Sequence, residues 1–226
     1  MNNIRPIKNH LTLAVCFLIS FNSLFAQTQR EQDSLALVAF YNSTNGPSWT
    51  NNTNWLTSRP ISEWYGITVN DNRVTRISLQ ANRLTGDLPP ELGNLLYLEY
   101  LHLNGNQLTG DLPPELGNLS KLGSLYLHDN QLTGNIPPEL GNLSNLRNLY
   151  FGNNQLTGNI PPELGNLLNL SGLGLCYNQL TGEIPPELGN LSNLSSLGLY
   201  NNQLTGNIPP ELGNLSNLSG LILSNN

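Results

Sequence analysis

The sequence predicts a solenoid, a chain wound into stacked coils with a parallel β-sheet along one side and a back without regular helices. A double proline recurs at a fixed spacing of 24 residues, beginning at Pro89, Pro113, Pro137, Pro161, Pro185 and Pro209. A fixed period between about 20 and 50 residues is typical of solenoids. Within each period leucines return at the same places, so that successive coils share one continuous core that a single coil could not enclose.

The first 26 residues differ in composition from the rest of the chain. Arg5 and Lys8 precede an apolar run that ends at Ala26, which is the order of a secretory signal peptide. A membrane span would need about 20 apolar residues, and Asn22 interrupts this run. We therefore expect residues 1–26 to be a signal peptide, the mature chain to lack a membrane span, and the product to be secreted or held in the cell envelope.

Each coil is predicted to contribute one short strand. In the second coil, Leu101 and Leu103 alternate with polar or aromatic neighbours, the period of two with which side chains point to opposite faces of a strand. We expect the leucines to face the core and the strands of neighbouring coils to lie about 4.8 Å apart in a parallel sheet.

An asparagine follows each strand, where the chain must turn. Buried backbone groups left unpaired at such a turn would each cost about 1–3 kcal/mol. The asparagine amide carries both donors and acceptors, so a column of asparagines can satisfy the backbone of successive coils. We assign this structural role to Asn82, Asn106, Asn130, Asn154, Asn178 and Asn202.

The back of each coil is shaped by glycine and proline. Gly86 and its equivalents suit a tight bend. The two prolines that follow exclude a regular helix, because each lacks a donor and biases the preceding residue towards extended backbone. The sequence therefore predicts an extended back with at most a 3₁₀ turn around "PPELGNL".

The repeat L-x-x-L-x-L-x-x-N-x-L-x-G-x-I/L-P-x-x-L-G-N, which covers residues 74–226, resembles the plant-type leucine-rich repeat. This motif occurs in plant receptor ectodomains and in secreted bacterial proteins. The resemblance implies a leucine-rich repeat solenoid, wound as a right-handed superhelix or horseshoe, whose concave sheet grips other molecules. On this interpretation residues 74–226 form six full coils and a truncated seventh.

Residues 27–73 resemble the amino-terminal cap of the same family. The stretch "DSLALVAFYNSTNGPSWTNNTNWL" is interpreted as a helix capped by Asp33 and followed by a tryptophan-rich loop. Val69 stands where plant caps keep a cysteine, so the resemblance does not extend to the disulfide. We expect apolar burial to seal the first coil instead, through Trp49, Trp55 and Trp64.

The outward-facing strand residues are the candidates for function, because the other positions of the repeat are committed to folding. Aromatic and histidine side chains cluster there in the second to fourth coils, and tyrosine gives a large contact area with a polar tip. We expect a non-catalytic binding module whose partner is another protein, a peptide or a glycan. The predicted ligand-binding residues are Tyr100, His102, Asn104, Tyr126, His128, Asp129, Asn148 and Tyr150.

Composition and spacing argue against other classes of function. The formal net charge of −6 disfavours a nucleic-acid partner, which would require a basic face. Cys176 and His102 lie three coils apart, about 15 Å at sheet spacing, too far for a nucleophile and its base. His102, His128 and Asp129 lack the further firm ligand that zinc would need. We expect no enzyme, no metal and no cofactor.

Two alternative functions remain open. Near-identical repeats also suit a passive structural or surface-coat protein without a specific ligand. A threonine column that begins at Thr85, with an Asp, Asn or Glu two residues after each threonine, could in principle template ice.

The seventh coil has no capping segment after its turn asparagine, which exposes core leucines. We expect this coil to reflect a truncated chain, end-to-end self-association or a mobile last coil.

Overall fold

The computed structural model describes residues 30–226. The predicted signal peptide, residues 1–26, lies outside the described residues. An α-helix (α1) occupies 30–43, and 3₁₀ turns follow at Gly46–Ser48 and Ile61–Glu63. Within the part of the chain that the structure describes, no helix is long and apolar enough to cross a bilayer.

A sheet of eight strands follows, in which every pair after the first is parallel. The partners are 24 residues apart, as Leu101 and Leu125 are, so each coil contributes one strand at the same register. This confirms the predicted parallel sheet. Its strands are β1 (Ile67–Asn70), β2 (Arg73–Ser78), β4 (Tyr100–His102), β6 (Ser124–Tyr126), β7 (Asn148–Tyr150), β8 (Gly172–Gly174), β9 (Ser196–Gly198) and β10 (Gly220–Ile222).

A second, two-stranded sheet joins β3 (Thr85–Asp87) to β5 (Gln107–Thr109), and single β-bridges continue it in later coils. The backs of the coils carry 3₁₀ turns and no α-helix, as the double prolines predict. These turns are Pro90–Asn94, Pro114–Asn118, Pro138–Asn142, Pro162–Asn166, Pro186–Asn190 and Pro210–Asn214.

The core is a set of leucine columns that run along the solenoid. Leu101 and Leu103 are fully buried, as are their equivalents Leu125 and Leu127, which confirms the inward assignment. In the last coil the equivalent Leu221 is 45% exposed, because no coil packs on its far side among the described residues.

The turn asparagines hydrogen-bond the backbone of neighbouring coils. The amide nitrogen of Asn106 donates to the carbonyl oxygens of Leu79 and Leu103, at 2.9 and 2.8 Å. Its side-chain oxygen accepts from the backbone nitrogens of Asn82 and Leu84, at 2.9 and 3.0 Å. One side chain thus satisfies two donors and two acceptors of the turn.

Aromatic rings bury one another between α1 and the first coil. The rings of Trp49 and Trp55 lie 4.8 Å apart edge to face, and Trp55 and Trp64 lie 4.9 Å apart. The indole N–H groups of all three donate to backbone carbonyls, so burial leaves none of them unpaired. Asn82 joins this segment to the first coil, because it donates to Asn51 O and accepts from Asn51 N.

The predicted helix cap at Asp33 is wrong. The helix already includes residue 30, so Asp33 lies within it rather than before its first turn. Its carboxylate instead forms a buried, two-pronged ion pair with the Arg73 guanidinium, at 2.8 and 2.9 Å, and accepts from Val74 N at 3.0 Å. The side chain holds the helix against β2.

We predict that Asn106→Leu lowers the free energy of unfolding by at least about 3 kcal/mol, because four backbone partners lose their hydrogen bonds inside the solenoid. Urea denaturation measures the change. Asn226→Leu is the matched control, since Asn226 has the same place in the repeat but is exposed. Equal losses in the two variants would contradict the explanation.

We also predict that Asp33→Ala destabilises the protein by about 3–5 kcal/mol, because it leaves the buried Arg73 charge without its carboxylate. Glu63→Ala removes an exposed carboxylate that pairs with Arg59 at 3.4 Å, and it should cost less than about 1 kcal/mol. Thermal unfolding of both variants tests the difference, and similar melting temperatures would refute the structural role of the buried pair.

Candidate functional site

The outward side chains of the strands form one surface, which we call the sheet face. Its central feature is a row of rings on β4, β6 and β7. His102 and Tyr126 stack in parallel at 4.3 Å, and Tyr126 meets Tyr150 edge to face at 5.2 Å. Tyr100 stands beside His102 at 6.1 Å, and Arg76 lies 3.8 Å from the centre of the Tyr100 ring.

The structure places the remaining predicted residues less uniformly. His128 reaches the row from the end of its strand, 6.0 Å from Tyr126 and 6.4 Å from Tyr150. Asp129 is exposed in the following turn, where its Oδ1 accepts from the Asn153 amide at 2.7 Å. Asn104 and Asn148 lie on the sheet face but outside the groove described next.

Tyr150 leans over the next strand, and two glycines make this possible. A Cβ atom at Gly174 would lie 2.6 Å from Cδ1 of Tyr150, and one at Gly172 would collide with the Tyr150 hydroxyl. Any other residue at either position would push the ring off the sheet. The ring therefore covers β8, and its outer face is left to line the groove.

Beyond Tyr150 the sheet face opens into a groove of about 700 Å³. Tyr126, Tyr150 and His128 form one wall, Tyr177 and Tyr200 form the other, and Cys176 lies between them. Gly152 and Gly174 line the floor, at positions where the third coil has His128 and Tyr126, and Asp129 and Asn153 stand at the rim. We call this feature the tyrosine groove.

Sequence reasoning missed more than half of this groove. It found the first wall from its tyrosines and histidines, but it treated the glycines of the fifth coil as the end of the patch. The missed residues are Gly152, Asn153, Gly174, Cys176, Tyr177 and Tyr200. The sequence did contain a signal for these residues. Glycines occupy outward strand positions, and tyrosines occur in the coils before and after them, which is the pattern expected of a groove with a floor and two walls.

Tyr177 has a backbone conformation that is unusual for a large side chain. It occupies the left-handed region with φ 52°, at a turn position where Asp129, Asn153 and Asn201 adopt φ values of 57°, 55° and 53°. Asparagine and aspartate tolerate this region, whereas a bulky residue there is strained. The Tyr177 ring meets Tyr200 edge to face at 5.1 Å, so the strained turn positions the second wall.

Three rings of the sheet face have pKa values shifted in the direction that favours the uncharged ring. Burial, with smaller contributions from Arg76 and His128, lowers the pKa of His102. Burial and then Tyr126 raise the pKa of Tyr150. A hydrogen bond with Cys176 is the main cause that raises the pKa of Tyr200. The Tyr150 and Tyr200 walls therefore present neutral phenol rings rather than phenolates.

Within residues 30–226, no group of three His, Cys, Asp or Glu side chains converges in a way that could hold a metal ion. Cys176 contacts the Tyr200 hydroxyl rather than a histidine. The groove offers aromatic contact surface and hydrogen-bonding groups to a bound molecule.

The threonine column lies apart from the groove, along the second sheet and the bridges that continue it. Thr109 and Thr133 donate to the carboxylates of Asp87 and Asp111 on the preceding coils, at 2.6 and 2.9 Å. These hydroxyls thus tie neighbouring coils together and are occupied within the protein.

Comparison with known proteins agrees with this architecture. The family model described as Leucine Rich Repeat matches residues 73–95, 97–119, 121–143, 145–167, 169–191 and 193–215. Among curated proteins, a probable inactive leucine-rich repeat receptor-like protein kinase of Arabidopsis thaliana is 39% identical over 98 residues, 42% of this chain and 14% of that protein.

Two solved structures illustrate the similarity in three dimensions. The ectodomain of the Arabidopsis receptor kinase HAESA, in complex with an N-terminally extended IDA peptide hormone, has a TM-score of 0.76 and 32% identity. The match covers 88% of this chain and 34% of that chain. A plant ice-binding protein has a TM-score of 0.72 and 34% identity, over 80% of this chain and 59% of that chain.

The chain thus spans less than two thirds of the length of each of these proteins. The predicted solenoid of parallel strands and 3₁₀ turns is confirmed, and the family match extends over more than half of the sequence. The chain belongs to the leucine-rich repeat family.

Proposed function

We propose that the protein is a non-catalytic recognition module that holds a peptide, or an exposed segment of another protein, on its sheet face. The observation that carries the proposal is the tyrosine groove, about 700 Å³ of space between two aromatic walls. This volume lies within the range of about 300–1,000 Å³ that is typical of ligand sites. Tyrosine contributes large contact area at low entropic cost, which is why it is common at binding hot spots.

The walls are fixed before a partner arrives. Every coil that carries a groove residue is held to its neighbours by strand pairing on the sheet face and by a turn asparagine. A rigid, preformed surface avoids the ordering cost that weakens binding by flexible segments. The HAESA ectodomain, which shares this fold, was solved with a peptide hormone bound, and this supports a peptide or protein partner here.

We also propose that the protein acts outside the cytoplasm, secreted or in the cell envelope, after removal of residues 1–26 as a signal peptide. The order of charge and apolar residues in that segment supports this location. The similarity to receptor ectodomains supports it as well. A passive structural or surface-coat role is the alternative, and it would leave the groove without a selective ligand.

We predict that peptides selected from a random display library bind in the tyrosine groove. Tyr150→Ala and Tyr200→Ala should each weaken binding of the best peptide about tenfold or more, because each removes a tyrosine ring from one wall. Isothermal titration calorimetry gives the dissociation constants. Tyr65→Ala is the matched control, since it removes an exposed tyrosine of the cap. The affinity of this variant for the selected peptide should equal that of the parent protein.

Two results would contradict the proposal. A library that yields no selective peptide would favour the passive structural role. Undiminished binding to the double variant Tyr150→Ala/Tyr200→Ala, with its circular dichroism unchanged, would place the binding surface elsewhere.

We further predict that Tyr177→Asn stabilises the fold by about 1 kcal/mol while it weakens peptide binding. The stability gain comes from relief of the left-handed strain, and the loss of affinity comes from removal of one wall. Asn201→Tyr is the matched control at the same turn of the next coil, and it should destabilise the fold without improving binding. Urea denaturation and calorimetry measure both effects, and a Tyr177→Asn variant without added stability would refute the strain.

A further inference from the structure

Arginine side chains of this protein already lie on tyrosine rings. The Arg76 guanidinium lies 3.8 Å from the centre of the Tyr100 ring, at the start of the row. A second pair, Arg73 and Tyr97, has the same arrangement at 4.1 Å before the start of β4. The face of a tyrosine ring is electron-rich, and attraction to a cation within about 6 Å is worth about 0.5–2 kcal/mol.

The tyrosine groove has tyrosine rings as well, but no arginine or lysine of the groove lies on them. Four tyrosines line it, and no lysine or arginine is among the lining residues. The Tyr126 and Tyr150 rings lie 5.2 Å apart and the Tyr177 and Tyr200 rings lie 5.1 Å apart, each pair edge to face or nearly so. Each pair therefore presents ring faces in more than one direction.

A carboxylate stands at the same rim. Asp129 is half-exposed and receives one hydrogen bond at Oδ1 from the neutral Asn153 amide, at 2.7 Å. Within residues 30–226 its ionic neighbour is the His128 imidazole at 3.9 Å, and it pairs with no lysine or arginine. The groove thus combines a negative charge with electron-rich rings, in a chain whose formal net charge is −6.

We infer that the tyrosine groove binds an organic cation, an alkylammonium or guanidinium group that lies against the tyrosine rings and pairs with Asp129. The inference rests on the proposed function, because the cation is taken to be a lysine or arginine side chain of the bound peptide. A free quaternary ammonium compound has the same chemistry and is the other source of such a group.

The chemistry of the groove suits one such group. Tyr150 and Tyr200 belong to coils two apart, whose strands are separated by about 9.6 Å at a sheet spacing of about 4.8 Å. Tyr150 leans over the strand between them, so its ring covers part of that space. A cation in the groove would meet ring faces and the Asp129 carboxylate, whereas a carboxylate ligand would be repelled by both.

The test compares cations with neutral molecules of the same shape at pH 8, where imidazoles are neutral, and in about 20 mM salt, where charge screening is weak. One pair is the peptide acetyl-Gly-Arg-Gly-amide and its citrulline counterpart. The other is choline and its carbon analogue 3,3-dimethylbutan-1-ol. Titrations followed by the NMR signals of the tyrosine rings give the dissociation constants.

We expect at least one of the two cations to bind about tenfold more tightly than its neutral counterpart. Asp129→Asn and Tyr200→Leu should each remove most of this preference, since one deletes the carboxylate and the other keeps apolar area but deletes a ring. Glu163→Gln, on the exposed back, changes the net charge by the same amount as Asp129→Asn and should leave the preference intact.

Equal affinity for charged and neutral probes would overturn the inference, as would equal effects of Asp129→Asn and Glu163→Gln. Library peptides that bind in the groove without any basic residue would overturn it while the proposed function stands. Choline bound in the groove, together with a library that yields no peptide, would support the cation site and refute the peptide partner.

Discussion

Backbone pairing between residues 24 positions apart is the constraint on which the rest of this structure depends. Each strand forms hydrogen bonds only with the strands of the coils before and after it. That pairing fixes one residue of every coil above its equivalent, so a leucine in one coil must fit leucines on both sides. Within the repeats, the core is therefore built from contacts between neighbouring coils.

The same stacking explains which parts of the fold were readable from the sequence. The leucine columns, the strands and the 3₁₀ turns follow from the repeat itself, because every coil solves the same packing problem. Asp33 shows where this reasoning ends. An acid before an apolar stretch resembles a helix cap, but nothing local reveals that its partner is Arg73, 40 residues further on. A contact between two non-repeating residues has no periodic signal.

The groove was only partly predictable for a related reason. Outward residues are free to vary, so Tyr126, His128 and Tyr150 stand out as large side chains in a monotonous array. Their effect depends on direction as well as on position. That Tyr150 lies over Gly172 and Gly174, and that Tyr200 lines the same groove from two coils away, follows from side-chain conformations that alternation alone does not determine. The glycines matter here because the absence of a side chain leaves room for the neighbouring Tyr150 ring to lie over the strand.

The modular arrangement of the two walls has an evolutionary consequence. Since the walls belong to different coils, a duplication or deletion of one whole unit between them would change their separation in steps of about 4.8 Å. The leucine columns and the asparagine hydrogen bonds would continue across such an insertion unaltered. Unequal recombination within the gene would therefore yield related proteins whose grooves accept ligands of different sizes, while the leucine core and the sheet stay intact.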